Sequence, residues 1–344
     1  MVQWDLPRTP TSAQLVARLG LERGVPAATL LAGTRLDLGA LDDPRAEVGP
    51  RQELRLAENL VAALGDPPGL GLAAGARYHL TAYGLWSFML ISSPTPRNAV
   101  ELALRYVDLT FAFCALEPRE ADGELVLALS PAEGVPLSVR RFFVEREAAA
   151  IHTIQAEAFG QGLGLRRVAF SAAAPAERAF AQQVFGIAPE YDAAEDLIAF
   201  DATHLDDPMP QANEHAAAMA LEQCRDLLQR RRARAGLAGR VRDQIAARIV
   251  DPPDAGEVAT TLHMSSRSLQ RRLAEEGTSF RALLDEVRER LAEELLVTGR
   301  VPVSEVAHRL GYVEVSSFSQ AFRRWKGMGP RDYRRQRAGV LAGR

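Results

Sequence analysis

Lysine is nearly absent. Of the 41 basic residues only Lys326 is a lysine, a chain-wide bias that a GC-rich coding composition accounts for better than a preference for bidentate chemistry. Arginine identity therefore informs only at particular positions. Cysteine is also scarce: Cys114 and Cys224 lie far apart in apolar or amphipathic surroundings, which excludes a disulfide framework and a cysteine-rich zinc site. No apolar run approaches the ~18 residues needed to span a bilayer, and the opening "MVQWDLPRTPTSAQL" lacks a basic segment followed by an apolar one. The expectation is a cytoplasmic chain with no membrane partner. His79, His152, His204, His215, His263 and His308 show no HxxxH or H-E-x-x-H spacing, and neither cysteine sits in a reactive motif. A metal, a cofactor and an enzymatic role are all disfavoured.

What is present is ordinary globular material: 344 residues, 47% apolar and 25% charged, enough for about two domains. Charge is unevenly spread. Residues 236–344 carry 19 basic against 14 acidic side chains, a net of +5, which leaves −8 on residues 1–235. An acidic body joined to a basic module implies a polyanionic partner.

Within the basic module a pattern recurs. "VATTLHMSSRSLQRRL" (258–273) aligns with "VAHRLGYVEVSSFSQAF" (306–322): Val258, Ala259 and Leu262 return as Val306, Ala307 and Leu310, and Leu269 and Leu273 as Phe318 and Phe322. Each copy predicts a short helix, a tight turn and a second helix held by apolar residues four apart, which is a helix-turn-helix with its outer face free for the DNA major groove. Asp254 and Glu257 have the spacing of a capping box, Pro302 suits the opening position of a helix, and Gly311 suits a turn. Between the copies, "TSFRALLDEVRERLAEELLVTG" places Phe280, Leu283, Leu284, Val287, Leu291 and Leu295 on one face of a long helix. Its roughly 19 residues would span about 28 Å, close to the ~34 Å turn of DNA, so one chain could read two groove segments.

Residues 237–337 resemble the DNA-binding domain of the AraC/XylS family of bacterial transcription regulators, and "SSFSQAFRRWKGMGPRDYR" (316–334) is similar to that family's closing signature. The resemblance implies seven helices, promoter duplex DNA and RNA polymerase as partners, and base contacts through Arg267, Gln270 and Arg271 on the first reading helix and Val315, Ser316, Ser319 and Gln320 on the second. Arginine and glutamine are the stronger readers, since each can form paired hydrogen bonds with one base. Arg272, Arg323, Arg324 and Lys326 fall at edges suited to phosphate, with ordinary solvated helix charges as the alternative. Two positions depart from the pattern. His263 stands where the first turn usually has glycine, and Gly329 where a capping serine is common.

The rest of the chain has no motif of comparable strength. Helical periodicity dominates the first hundred residues, including "RQELRLAENLVAAL" (51–64) and a pair of helices broken at Pro94 and Pro96. Strands are expected at 109–118, 124–130 and 165–172, with short ones at "APEYD" and "LIAFD", and helices at 138–160 and near 175–185. The predicted fold is an α+β N-terminal sensor domain, helices on a mainly antiparallel sheet, followed by an all-α domain with two helix-turn-helix units. Through "LLAGTRLDLGALDDP" and "RYHLTAYGLWSFMLISSPT" the body resembles the AraC-type subgroup with amino-acid-catabolism and quorum-related regulators, more than the cupin barrel of the sugar-binding subgroup. That resemblance implies an effector, an unknown small molecule.

Tyr78, His79, Thr81, Tyr83 and Trp86 are the candidate effector lining, apolar bulk with polar tips; the competing reading is an aromatic helix junction. In 212–236, Ala216, Met219, Ala220, Cys224, Leu227 and Leu228 form an apolar face that is either a homodimer seam or a strap onto the body, with a slight lean to the homodimer. The expected partition is a sensing domain at 1–208, a helical linker or dimerisation segment at 209–236 and the DNA-binding domain at 237–337. Effector-controlled, sequence-specific DNA binding is the expected function; a ligand-independent DNA binder and an enzyme fused to a DNA-binding module are the alternatives.

Overall fold

A computed structural model describes residues 3–335 apart from 5, 160–162, 177, 235 and 299–300; the expected domain end at 337 lies outside the described residues. The chain divides into two compact units, Met1–Arg231 and Arg232–Arg344.

The first unit is built on four antiparallel strands, β1 (Cys114–Ala121), β2 (Glu124–Pro131), β3 (Leu165–Ala169) and β4 (Asp196–Asp201), in the order β1-β2-β4-β3. Asp122 and Gly123 close the β1–β2 hairpin with φ of 53° and 76°, the left-handed pair that a two-residue hairpin turn requires. Alternation in the central strands separates two faces: Leu125, Leu127, Leu129, Ile198 and Phe200 enter the main core, whereas Val126, Leu197 and Ala199 form a small cluster with Ala169. Two strand expectations need correction. Strand β1 starts at Cys114, because the preceding residues form a short turn of helix at Val107–Leu109 and then send Phe111 and Phe113 into the interior. "APEYD" contributes only an isolated parallel bridge between Glu190 and Ala169.

The helix Leu137–Ala158 crosses the main core, carrying Phe142, Phe143, Ala148 and Ala149 fully buried. The short helix Leu70–Gly75 lies directly against it. A Cβ at Gly71 would come within 2.2 Å of the Phe142 carbonyl oxygen, and one at Gly75 within 2.2 Å of the Arg146 carbonyl oxygen, so this backbone-to-backbone approach admits only glycine. The helix Glu214–Arg234 packs Ala220, Cys224 and Leu228 against Trp86, Met89, Leu90 and Tyr106. Four of its six predicted apolar positions, with the half-buried Leu227, are thus used inside the unit, while Met219 is 49% exposed.

The second unit is all helix in its described elements: Gly236–Ala247, Ala255–Thr261, Ser266–Glu275, Phe280–Thr298, Val303–Arg309 and Val315–Lys326, with a further turn of helix at 330–335. Its two hydrophobic cores meet on the 19-residue helix Phe280–Thr298. Leu283 and Val287 serve the first, Ala292 and Leu296 the second, and Leu291 touches both.

Candidate nucleic-acid interface and effector cavity

Each helix-turn-helix is assembled by local chemistry. Asp254 accepts from the Gly256 and Glu257 amides at 2.7 and 2.8 Å while Glu257 accepts from the Asp254 amide at 3.1 Å, the expected capping box. Ser265 caps the first reading helix, Ser266–Glu275, through the Ser268 amide. Pro302 sits one position earlier than expected, as the N-cap of Val303–Arg309. The turns differ for a physical reason. Gly311 has φ 73°, and a Cβ there would lie 2.7 Å from the Ile249 carbonyl oxygen; His263 has φ 57° but is exposed, so its side chain has room even though its backbone is strained.

Leu269 and Leu273 are fully buried and fix the roll of the first reading helix. At 100° per residue, Arg267, Gln270 and Arg271 then share the outward face, all exposed. Arg271 pairs with Glu275 one turn on at 3.2 Å. Arg272 is exposed on the flank between that face and the buried seam. In the second reading helix, Val315–Lys326, buried Phe318 and Phe322 direct Ser316, Gln320 and Arg323 outward. Val315 is 40% exposed near the flank, and the half-buried Ser319 commits its proton to the Val315 carbonyl at 2.8 Å, leaving its oxygen to accept.

Two of the basic residues expected at phosphate are engaged elsewhere. Arg324 meets Asp285 at 3.2 Å, and Lys326 contacts Glu289 at 2.7 Å and also Glu293, all on the linking helix. Arg272 and Arg323 have no ion-pair partner among the described residues. Arg288, unnoticed in the sequence, reaches from the linking helix to the Leu310 and Gly311 carbonyls at 3.0 and 3.3 Å and lies 4.4 Å over the Tyr312 ring. It satisfies the carbonyl end of Val303–Arg309 and ties the turn of the second helix-turn-helix to the linking helix.

In the first unit the five aromatic and polar candidates separate. Tyr83 and Trp86 border an apolar cavity of about 100 Å³ between helices and sheet, with Leu90, Leu104, Ile154 and Phe200 among its walls. His79 and Thr81 are exposed, and His79 Nδ1 meets Glu157 at 2.5 Å. Tyr78 belongs to a buried polar cluster instead. Its hydroxyl lies 2.6 Å from Ser12, which also bonds Glu53, and burial pushes its pKa up to about 12. At the centre, Arg146 bonds Glu53 at 3.1 Å, Glu147 at 2.6 Å and the Phe111 carbonyl at 2.7 Å. A chain of charges this deep is tolerable only because nearly every member is paired. The one hint in the sequence was "FFVEREAAAI" (142–151), three successive charges flanked on both sides by apolar residues.

Burial pushes the Cys114 thiol well up and that of Cys224 to about 11, opposing a reactive thiolate. Among the described residues no group of three or more His, Cys, Asp or Glu could hold a metal ion, and no helix is long and apolar enough to cross a membrane.

Residues 24–209 match the family described as the arabinose-binding domain of AraC transcription regulators, and 258–336 match a helix-turn-helix domain. An uncharacterized HTH-type transcriptional regulator of Mycobacterium tuberculosis is 37% identical over 94% of this chain and 95% of its own length. The ornithine utilization regulator of Pseudomonas aeruginosa is 33% identical over 94% of each. The crystal structure of the transcriptional regulator CdpR, also from P. aeruginosa, is similar over 94% of this chain and 98% of that one, at 24% identity and a TM-score of 0.48. The chain belongs to the AraC family of DNA-binding transcriptional regulators.

Proposed function

We propose that the chain reads two successive major-groove segments of promoter DNA and that a small molecule bound in its first unit controls this reading. The observation carrying the proposal is the paired outward faces, Arg267, Gln270 and Arg271 on one helix and Ser316, Gln320 and Arg323 on the other, set by buried residues and mounted on one linking helix. Val315 can meet a thymine methyl and Ser319 can accept a hydrogen bond, so the second helix contributes register and modest selectivity beside the stronger arginine and glutamine vocabulary of the first. Arg272 and Arg323 supply phosphate contacts; Arg324 and Lys326 do so only by releasing the carboxylates of the linking helix.

The first unit is the sensor, in the partition of body, connecting helix and DNA-binding domain laid out from the sequence. Its apolar cavity with Tyr83 and Trp86 supports a small-molecule role, as does the relative concerned with ornithine utilization. RNA polymerase is the partner through which transcription responds, and the cytoplasm is where promoter and polymerase are met. A homodimer through Glu214–Arg234 would have to use Met219 and its neighbours, since Ala220, Cys224 and Leu228 are occupied. Selection from randomised duplexes with the full chain tests the reading. A recurring bipartite sequence is expected, whereas equal retention of all sequences would reduce the protein to a nonspecific binder.

A further inference from the structure

The turns of the two helix-turn-helix motifs differ by one residue. In the first, His263 and Met264 lie between Leu262 and the N-cap Ser265; in the second, Gly311, Tyr312 and Val313 lie between Leu310 and the N-cap Glu314. Gly311 answers to His263, both at positive φ. Tyr312 answers to Met264, each packed on the core of its own motif, and the Tyr312 ring lies 5.6 Å from that of Phe318. Val313 answers to nothing. It is 98% exposed, the most exposed large apolar side chain among the described residues. A lone exposed valine on a surface calls for no explanation, but this one is the residue added to a turn that leads into a reading helix.

The backbone gives it a neighbour. Glu314 is extended, with φ −111° and ψ 129°, and its side chain makes no capping hydrogen bond. Side chains on either side of an extended residue leave the chain in the same direction, so Val313 stands beside Val315, the first residue of the helix and itself 40% exposed. The two form an aliphatic tip ahead of the outward Ser316 and Gln320. At the matching end of the first reading helix stand the capping Ser265 and then Ser266, with no apolar tip. The N-terminal end of a reading helix is the part that meets base edges in the major groove, and the apolar feature displayed there is the C5-methyl group of thymine.

We propose that Val313 and Val315 together read pyrimidine C5-methyl groups, so that the second helix-turn-helix selects thymine, and responds to 5-methylcytosine, by apolar contact. The inference rests on the two-segment reading above and adds Val313 to it as a specificity-determining residue. Valine has no side-chain donor or acceptor, so the tip is blind to the carbonyl of thymine and the amino group of cytosine. Discrimination falls on the methyl group alone. Uracil, which pairs as thymine does, loses the contact; cytosine regains it on methylation.

The test uses the full chain on its selected site, with binding followed by fluorescence anisotropy. Each thymine in the segment whose base preference Gln320→Ala relaxes is replaced singly by deoxyuridine. One or two of these replacements should weaken binding about fourfold, the value of one buried methyl group. With cytosine at such a position, 5-methylcytosine should bind about fourfold more tightly than the unmodified base. Val313→Ala removes a side chain that touches no core, so it should melt as the wild type does while losing most of the uracil penalty. Val315→Ala, which keeps the carbonyl that Ser319 bonds, should reduce the penalty at the same or the adjacent base. A segment without thymine, uracil tolerated at every position, equal binding of cytosine and 5-methylcytosine, or a full uracil penalty in both variants would each overturn the assignment. A bipartite site indifferent to uracil removes only the methyl reader, whereas failure to select any bipartite site removes the two-segment reading with it.

Discussion

Arg271 and Arg272 are neighbours in the chain but point about 100° apart on a helix whose roll Leu269 and Leu273 fix. Arg267→Ala or Arg271→Ala should each cost about 1–3 kcal/mol on the selected site and relax preference at one or two base pairs. Arg272→Ala should weaken all sequences alike and lower the salt slope by about one contact. Competition binding with randomised half-sites separates the two patterns, and their exchange would mean that the reading face is rotated by one residue. His263→Gly removes a positive-φ cost at an exposed turn and should raise stability by about 0.5–1 kcal/mol without altering sequence choice; an altered site at unchanged melting temperature would make His263 a contact. Glu145 titrates in the other unit. Burial lifts its pKa from 4.5 to about 7, against the pull of Arg141 and the Gly71 amide. The folded state therefore holds that proton more tightly than the unfolded one, and the stability it contributes is full below about pH 4.5 and lost as pH rises through about 7. Glu145→Gln should flatten the melting temperature across that window; an unchanged profile would place the titration elsewhere. At this scale the sequence was legible wherever partners lie within one turn, as with Asp254 and Glu257. It was silent on Arg8, Glu53, Tyr78 and Arg146, which meet only when segments many tens of residues apart pack together.

Among the elements, the linking helix carries the spacing. Asp285, Arg288, Glu289 and Glu293 bond the second helix-turn-helix along it, while Leu283 and Val287 hold the first. Inserting two residues after Glu289 rotates one reading face by about 200° against the other and should abolish bipartite binding while each half keeps weak affinity. An unchanged affinity for the selected site would show that the halves engage independently. The helix pair Leu70–Gly75 and Leu137–Ala158 offers a stability test of its own. Gly75→Ala must displace the Arg146 backbone and should cost about 1–3 kcal/mol in denaturant unfolding; a neutral result would mean that the two helices can part without loss. Elements with a strong period were readable, including the 19-residue linking helix and the strands β2 and β4. The stretch before Cys114 was not, because "LTFAFCAL" alternates as a strand does although its first half is a turn whose phenylalanines fill the core.

For the whole molecule, the unequal charge of the two halves sets the long-range behaviour. The basic half should bind duplex with log affinity falling linearly in log salt, and pairing of Arg324 and Lys326 with the linking helix should make that slope shallower than its arginine content alone implies. The fold class was legible from the repeat and from strand alternation. The apolar cavity was not, since Tyr83 and Trp86 meet Leu104, Ile154 and Phe200 around it only once the sheet and its helices pack together. The most direct measurement is hydroxyl-radical footprinting of the full chain on its selected site. Two protected segments about one helical turn apart on the same side of the duplex are predicted, with Arg271→Ala relaxing base preference within one segment and Gln320→Ala within the other. A single protected segment, or two whose separation varies from one selected site to the next, would contradict a chain that reads DNA with two helices held on one linking helix.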